Sequence, residues 1–257
     1  MTGGLKQARI LICNDDGIEA RGIRVLEQAA RCLSDDVWVI APATEQSGKA
    51  HSFTAKGALN ALKKDDRHFC VDGTPTDCVL FACNVLLKDH RPDFVFSGVN
   101  HGSNLGLDVL YSGTTGAAIE GTLQGIKSFA FSLYGAKHGS EYWPTLPELI
   151  VSMVEKTATM NWPKHTFLNI NFPECAPKEI AGIQITRFSS RKIGDEIQIL
   201  DRSDRACSFK IGYDRNGMIE ENSDTYAVQH GFISVTPVCV DMTNDAYLTV
   251  LKNRFLP

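Results

Sequence analysis

Arg9-Ile-Leu-Ile-Cys13, followed at once by Asn14-Asp15-Asp16-Gly17, decides the fold. Ile10 to Cys13 are apolar without alternation, as expected of a strand in a parallel sheet covered by helices on both faces. Beyond the turn, Ile23, Leu26, Ala30 and Leu33 recur at helical spacing. Val37-Trp-Val-Ile40 then forms a second apolar run, closed by Ala41-Pro42. The segment is a strand, helix, strand unit.

The pattern recurs downstream. Thr74-Pro75-Thr76-Asp77 has the chemistry of a helix start, with Thr74 as N-cap, proline in the first turn and an acid behind it. Val79, Cys83, Leu86 and Leu87 give that helix its apolar stripe, and Arg91-Pro92-Asp93 ends it. Phe94-Val-Phe96 leads as a buried strand into Ser97-Gly98-Val99-Asn100. The hydroxyl-rich turn Ser112-Gly113-Thr114-Thr115 precedes a helix of small residues, and a strand follows at Ser128 to Leu133. A further helix over Leu146 to Met160 and a strand over Thr166 to Phe172 complete the alternation. Residues 1–175 are therefore expected to fold as a doubly wound α/β core with a mostly parallel sheet. Residues 176–257 differ in texture. Glu179 to Phe188, a charged stretch from Ser189 to Arg205, an Asn216-Gly217 hairpin signal and Gly231 to Pro237 predict a β-rich appended segment.

Composition excludes several classes of function. A chain of 257 residues with 43% hydrophobic and 22% charged residues is neither disordered nor coiled coil. The net charge of -4 argues against binding polymeric nucleic acid, which normally requires a basic excess. No apolar run approaches the roughly 20 residues of a membrane span, and Met1 to Ala8 lacks a signal-type stretch, so a cytoplasmic protein is expected. The eight cysteines, with no Cys-x-x-Cys pair, look like isolated small hydrophobes.

In open α/β sheets, ligands collect beyond the carboxyl ends of the strands. Four segments fall there: Asn14 to Gly17, Thr44 to Gly48, Ser97 to Gly106, and Ser112 to Thr115. Each has a plain structural reading as a turn, a loop or a helix cap. Each also has a chemical one. Adjacent Asp15 and Asp16 repel unless a cation lies between them, and oxygen-only donors suit Mg²⁺ or Mn²⁺. Asn100 and Asn104, among glycines, can complete a hard-cation shell, whereas Ser112 to Thr115 would present hydroxyls and amides to an anion.

The joint occurrence of these segments is the more specific signal. Asn14-Asp15-Asp16-Gly17-Ile18 with Gly22, Ala41-Pro42 with Gln46-Ser47-Gly48, Gly73 to Cys78, Ser97 to Asn100 with Gly102 and Asn104-Leu105-Gly106, and Tyr111 to Thr114 resemble the SurE family of survival-protein nucleotidases. Leu168 to Pro173 and Ser234 to Pro237 extend the likeness. The resemblance implies a Rossmann-like core and a metal-dependent phosphatase acting on nucleoside 5'- and 3'-monophosphates, and on short polyphosphate. It implies one divalent metal ion per subunit, Mg²⁺ or Mn²⁺, held by Asp15, Asp16, Ser47 and Asn100, with Asp15, Asp16 and Asn100 catalytic. Asn104, Ser112, Gly113 and Thr114 would contact the substrate phosphate.

The sequence departs from the family pattern at Leu107, at Thr115-Gly116 and across residues 189–230. In this family the C-terminal part tends to be exchanged between subunits, and a homodimer or homotetramer is expected. Apolar Phe232, Ile233, Val235 and Val238 point the same way if nothing in the chain covers them. His101 is read as a pocket-lining residue with proton transfer as its alternative, and His51 as a weaker candidate. Two other functions remain open: a non-catalytic nucleotide and metal sensor, and a phosphoaspartyl-type phosphatase. The latter normally separates its two acids by one residue.

Overall fold

In the computed structural model, residues 5–135, 142–191, 196–212 and 218–256 are described. The core strands are β1 (Arg9–Cys13), β2 (Asp36–Pro42), β5 (Phe94–His101), β6 (Lys127–Leu133) and β7 (Thr166–Phe172), all parallel. β4 (His68–Val71) extends them in parallel beside β2, and β3 (Ala61–Lys63) runs antiparallel at the edge. At the other edge β11 (Phe232–Cys239) pairs antiparallel with β7, and β8 (Gly182–Ile185) lies parallel to β11. Among the described residues the sheet order is therefore β3-β4-β2-β1-β5-β6-β7-β11-β8. β9 (Ile197–Arg202) and β10 (Cys207–Ile211) form a separate antiparallel hairpin. The expected α/β class with a doubly wound, mostly parallel sheet and a C-terminal β-rich segment is what the chain adopts.

Helices cover both faces. α1 (Arg21–Leu33) and α4 (Leu146–Thr157) share one face, where Ile23, Leu26, Ile150 and Val154 pack on an aromatic layer. Phe96, at the centre of that layer, meets the rings of Phe129 and Phe131 edge-on at 5.3 and 5.7 Å. α2 (Pro75–Phe81) and α3 (Gly113–Leu123) cover the other face, packing on Leu11, Cys13 and Val95. Phe129 is fully buried, so truncating it to alanine should destabilise the fold by about 3 to 5 kcal/mol. A denaturant midpoint that did not move would show that this layer is not the core.

The helix starts follow local chemistry. Thr74 caps α2 by accepting from the Asp77 amide, while Asp77 accepts from the Thr74 amide, a reciprocal box behind Pro75. Packing sets other boundaries. The helix expected to reach Met160 ends at Thr157. The sequence does not separate β3 from loop, because it is wholly exposed and lacks an alternating apolar face. The C-terminal segment also contains α5 (Asp224–Gln229) and α6 (Asp245–Phe255), which the sequence reading did not distinguish. The turn of the β9–β10 hairpin lies at Ser203 to Ala206, and the Asn216-Gly217 signal lies outside the described residues. Ile233 and Val235, expected to expose apolar surface, are buried in the main core against which α5 packs. Exposed apolar surface lies instead on β9 and β10, at Ile199, Leu200 and Phe209, and on α6, at Tyr247, Val250 and Phe255.

Candidate active site

The carboxyl ends of β1, β2 and β5 and the start of α3 surround one cavity of about 790 Å³. Asp15 leaves β1 two residues past its end and is only 3% exposed. It is held against α3. The Thr114 Oγ1 hydroxyl donates to Asp15 Oδ1 at 2.5 Å, and the Thr114 amide supports the same carboxylate. Gly113 permits this approach, since a Cβ there would lie 2.7 Å from the Asp15 Cβ. Burial, with the charge of Asp16 behind it, pushes the Asp15 pKa up to about 6, against the pull of the Thr114 bonds. Asp16 is also raised by burial, partly offset by the His101 amide, which donates to Asp16 Oδ2 at 3.1 Å.

The loop after β2 reaches the pair through the Gln46 amide, which donates to the Asp15 carbonyl at 2.7 Å. Ser47 lines the cavity, its hydroxyl donating to Glu45 Oε1 at 2.9 Å. Behind this loop, His51 Nε2 lies 2.9 Å from Glu120 Oε2, fastening the loop to α3. Asn100, near the end of β5, uses its amide nitrogen to donate to the Gly102 carbonyl at 2.8 Å, leaving Oδ1 as the atom it can offer the cavity. His101 also lines the cavity and stacks on Trp143 at 6.1 Å.

The residues expected to contact phosphate occupy two kinds of position. Ser112 lines the cavity, and its Oγ caps α3 by accepting from the Thr115 amide at 3.2 Å. Asn104 lines it too, above a buried polar floor. Its Nδ2 donates to Ser132 Oγ at 2.9 Å, its amide donates to Asn171 Oδ1 at 3.0 Å, and its carbonyl accepts from Asn169 and Asn171. Gly113 and Thr114 instead lie behind Asp15, and the Thr114 hydroxyl is engaged there. Replacing Thr114 by valine should therefore raise the pH midpoint of metal binding by about one unit, because the bond that favours the charged carboxylate is gone. A titration with an unmoved midpoint would detach Thr114 from that role.

Several residues escaped the sequence reading. Asn169 and Asn171 fall within Leu168 to Pro173, where their spacing of two on one strand face is the signal the sequence offers. Arg191 and Asp108 line the cavity with Nη2 and Oδ2 3.4 Å apart. The fully buried Asp224 holds that wall. Its carboxylate accepts from the Gly106 amide at 2.7 Å and from the Ser189 amide at 3.0 Å, joining segments 118 residues apart. Nothing local in the sequence marks such contacts.

A hard cation suits this donor set. Asp15, Asp16, Ser47 and Asn100 offer oxygen only, and the two neighbouring carboxylates are under-compensated, as their raised pKa values record. Asn14 Oδ1, adjacent in the chain, is buried with no hydrogen-bond partner among the described residues. No group of three or more His, Cys, Asp or Glu side chains placed to hold a metal ion occurs among the described residues, so the cation reading rests on the mixed carboxylate, hydroxyl and amide set.

A model of the family described as Survival protein SurE matches residues 10–195. A protein of Paramagnetospirillum magneticum named 5'-nucleotidase SurE is 44% identical over 96% of this chain and 95% of its own. The protein of the same name from Rhodospirillum rubrum is 41% identical over 98% and 97%. The crystal structure of the SurE protein from Aquifex aeolicus superposes with a TM-score of 0.85, at 36% identity over 96% of this chain and 99% of that one. Likeness on this scale runs through the sheet edge that pairs the two aspartates as well as through the remainder of the chain, and the chain therefore belongs to the SurE family.

Proposed function

We propose that the chain is a metal-dependent nucleotidase that hydrolyses nucleoside 5'- and 3'-monophosphates to nucleoside and phosphate, with short polyphosphate as a further substrate. The carrying observation is the buried Asp15 carboxylate lining a 790 Å³ cavity, with half-buried Asp16 next to it in the chain and the N-terminus of α3 against Asp15. Such a cavity accommodates a small nucleotide, and an uncompensated carboxylate pair beside a helix N-terminus suits a cation and a phosphoryl group together. The name 5'-nucleotidase SurE, carried by the 41% to 44% identical relatives, supports the 5'-nucleotidase part of this reading.

Asp15, Asp16, Ser47 and Asn100 would hold one Mg²⁺ or Mn²⁺ per subunit. Such an ion, when bound, polarises a phosphoryl oxygen and lowers the pKa of water. The chain's own residues do the rest. Thr114 and Gly113 fix Asp15, and the His101 amide fixes Asp16. Ser112, Asn104 and the Gly113 amide would receive the phosphoryl oxygens, while Thr114, whose hydroxyl and amide both hold Asp15, acts through that carboxylate. Without metal the Asp15 pKa is pushed up to about 6, so binding of the ion would release a proton from it at lower pH. His101 lines the pocket, stacked on Trp143. The adjacency of Asp15 and Asp16 disfavours a phosphoaspartyl route.

The exposed apolar surface of β9, β10 and α6 supports a homodimer or homotetramer built through the C-terminal segment. Among the described residues no helix is long and apolar enough to cross a membrane, and a cytoplasmic enzyme remains the expectation. Pure protein incubated with Mn²⁺ and a panel of nucleoside monophosphates should release orthophosphate. Nucleotide binding without phosphate release would favour the sensor instead. A stable monomer in sedimentation at micromolar concentration would remove the assembly.

A further inference from the structure

Among the described residues that line the cavity, Arg191 is the one that carries a permanent positive charge, facing the carboxylates of Asp15, Glu45 and Asp108. It is only 8% exposed. Its Nε is buried with no hydrogen-bond partner among the described residues, and its Nη2 stands 3.4 Å from Asp108 Oδ2, beyond the roughly 2.7 to 2.9 Å typical of a close charged pair. A buried guanidinium held this loosely is under-satisfied, and in a cavity wall that is the signature of a group awaiting an anion.

Its placement is built rather than incidental. The Arg191 carbonyl accepts from the Leu107 amide at 2.9 Å, and a Cβ at Gly106 would lie 2.8 Å from the Arg191 Cγ, so the side chain lies along the Gly106 to Asp108 turn. Two residues before it, the Ser189 amide donates to Asp224 and the Ser189 hydroxyl lies 2.8 Å from that of Thr225. The C-terminal segment thus delivers one charged side chain into a cavity whose other polar groups come from the core.

We infer that Arg191 is a substrate-binding residue whose guanidinium takes phosphoryl oxygens of the nucleotide, releasing its weak hold on Asp108. The inference rests on the nucleotidase reading. A phosphate monoester is a dianion near neutrality, and a cavity lined by carboxylates needs a cation beyond the metal to draw it in. The planar fork also suits two oxygens at once.

The test compares wild type, R191Q and R191K for hydrolysis of a nucleoside monophosphate with Mn²⁺. Inhibition by orthophosphate, inhibition by the product nucleoside, and Mn²⁺ affinity are measured beside it. R191Q should raise KM and the orthophosphate inhibition constant together, by about 10- to 100-fold, the scale of one charge-assisted contact. Nucleoside inhibition and Mn²⁺ affinity should stay within about twofold, a pattern that a merely structural role would not produce. R191K, which keeps the charge and bulk but not the fork, should fall between, and it carries the test if R191Q does not fold. Unchanged orthophosphate inhibition would overturn the inference, as would a loss shared equally by nucleoside inhibition. A wild type that releases no phosphate would instead overturn the nucleotidase reading on which the inference is built.

Discussion

Replacing Asp15 by asparagine is expected to lower metal-dependent turnover by at least about 10²-fold while leaving the fold intact, because the substitution removes half the carboxylate charge of the site without changing its shape. Retention of more than about a tenth of wild-type activity would dismiss Asp15 as a principal ligand. The same variant should be more stable than wild type when metal is withheld at neutral pH. The Asp15 pKa is pushed up to about 6 from an ordinary value of 3.8, so between those pH values the folded chain keeps a proton that the unfolded chain has released. Stability without metal is then fullest below about pH 4 and falls as pH rises through 6, by on the order of 3 kcal/mol from this one group. The neutral amide escapes that loss. With metal present the order reverses, since the ion stabilises only the charged form, and metal affinity should weaken as pH falls below 6. Melting curves at pH 4 and pH 7.5, with and without Mn²⁺, read all of these signs.

Gly22 to alanine is expected to destabilise the fold on the scale of a core truncation, although glycine to alanine inside a helix is usually favourable. A Cβ at Gly22 would sit 1.9 Å from the Val99 carbonyl oxygen and 2.9 Å from its carbon. Both are backbone atoms of a central strand, so no rotamer change relieves the clash and α1 must lift from β5. The destabilisation should reach about 3 kcal/mol or more, lowering the melting temperature by roughly 10 °C in a chain of this size. Val99 is followed by the proposed ligand Asn100, so the surviving folded fraction should also bind Mn²⁺ more weakly. An unmoved melting temperature would mean that α1 does not seat on β5 in this way.

Helix and strand identity was legible wherever the deciding chemistry is local. β1, α1, α2 and β7 follow from apolar runs, 3.6-residue spacing and a capping box that operate within a few residues of one another. The paired aspartates, the loop carrying Ser47 and the cap at Ser112 were legible for a related reason: turn residues at strand ends and helix starts are chemically distinctive even before it is known what they face. β3 and α6 were not, because neither presents a buried face that would impose a period on the sequence.

The residues themselves, then, determine the alternating α/β order, the edge of the sheet where ligands gather, and the oxygen-only character of the groups placed there. Tertiary structure alone decides what those groups touch. It turns the Thr114 hydroxyl onto Asp15 and puts Asn169, Asn171 and Ser132 beneath Asn104. It buries Ile233 and Val235, which residue type alone does not assign to core or surface. It also brings Arg191 to the cavity through a carboxylate at Asp224 that bonds an amide 118 residues away. Periodicity and capping act over one turn or one strand, whereas a buried hydrogen bond between distant segments depends on the whole sheet being assembled first, and a single chain's residue order has no local feature that encodes it.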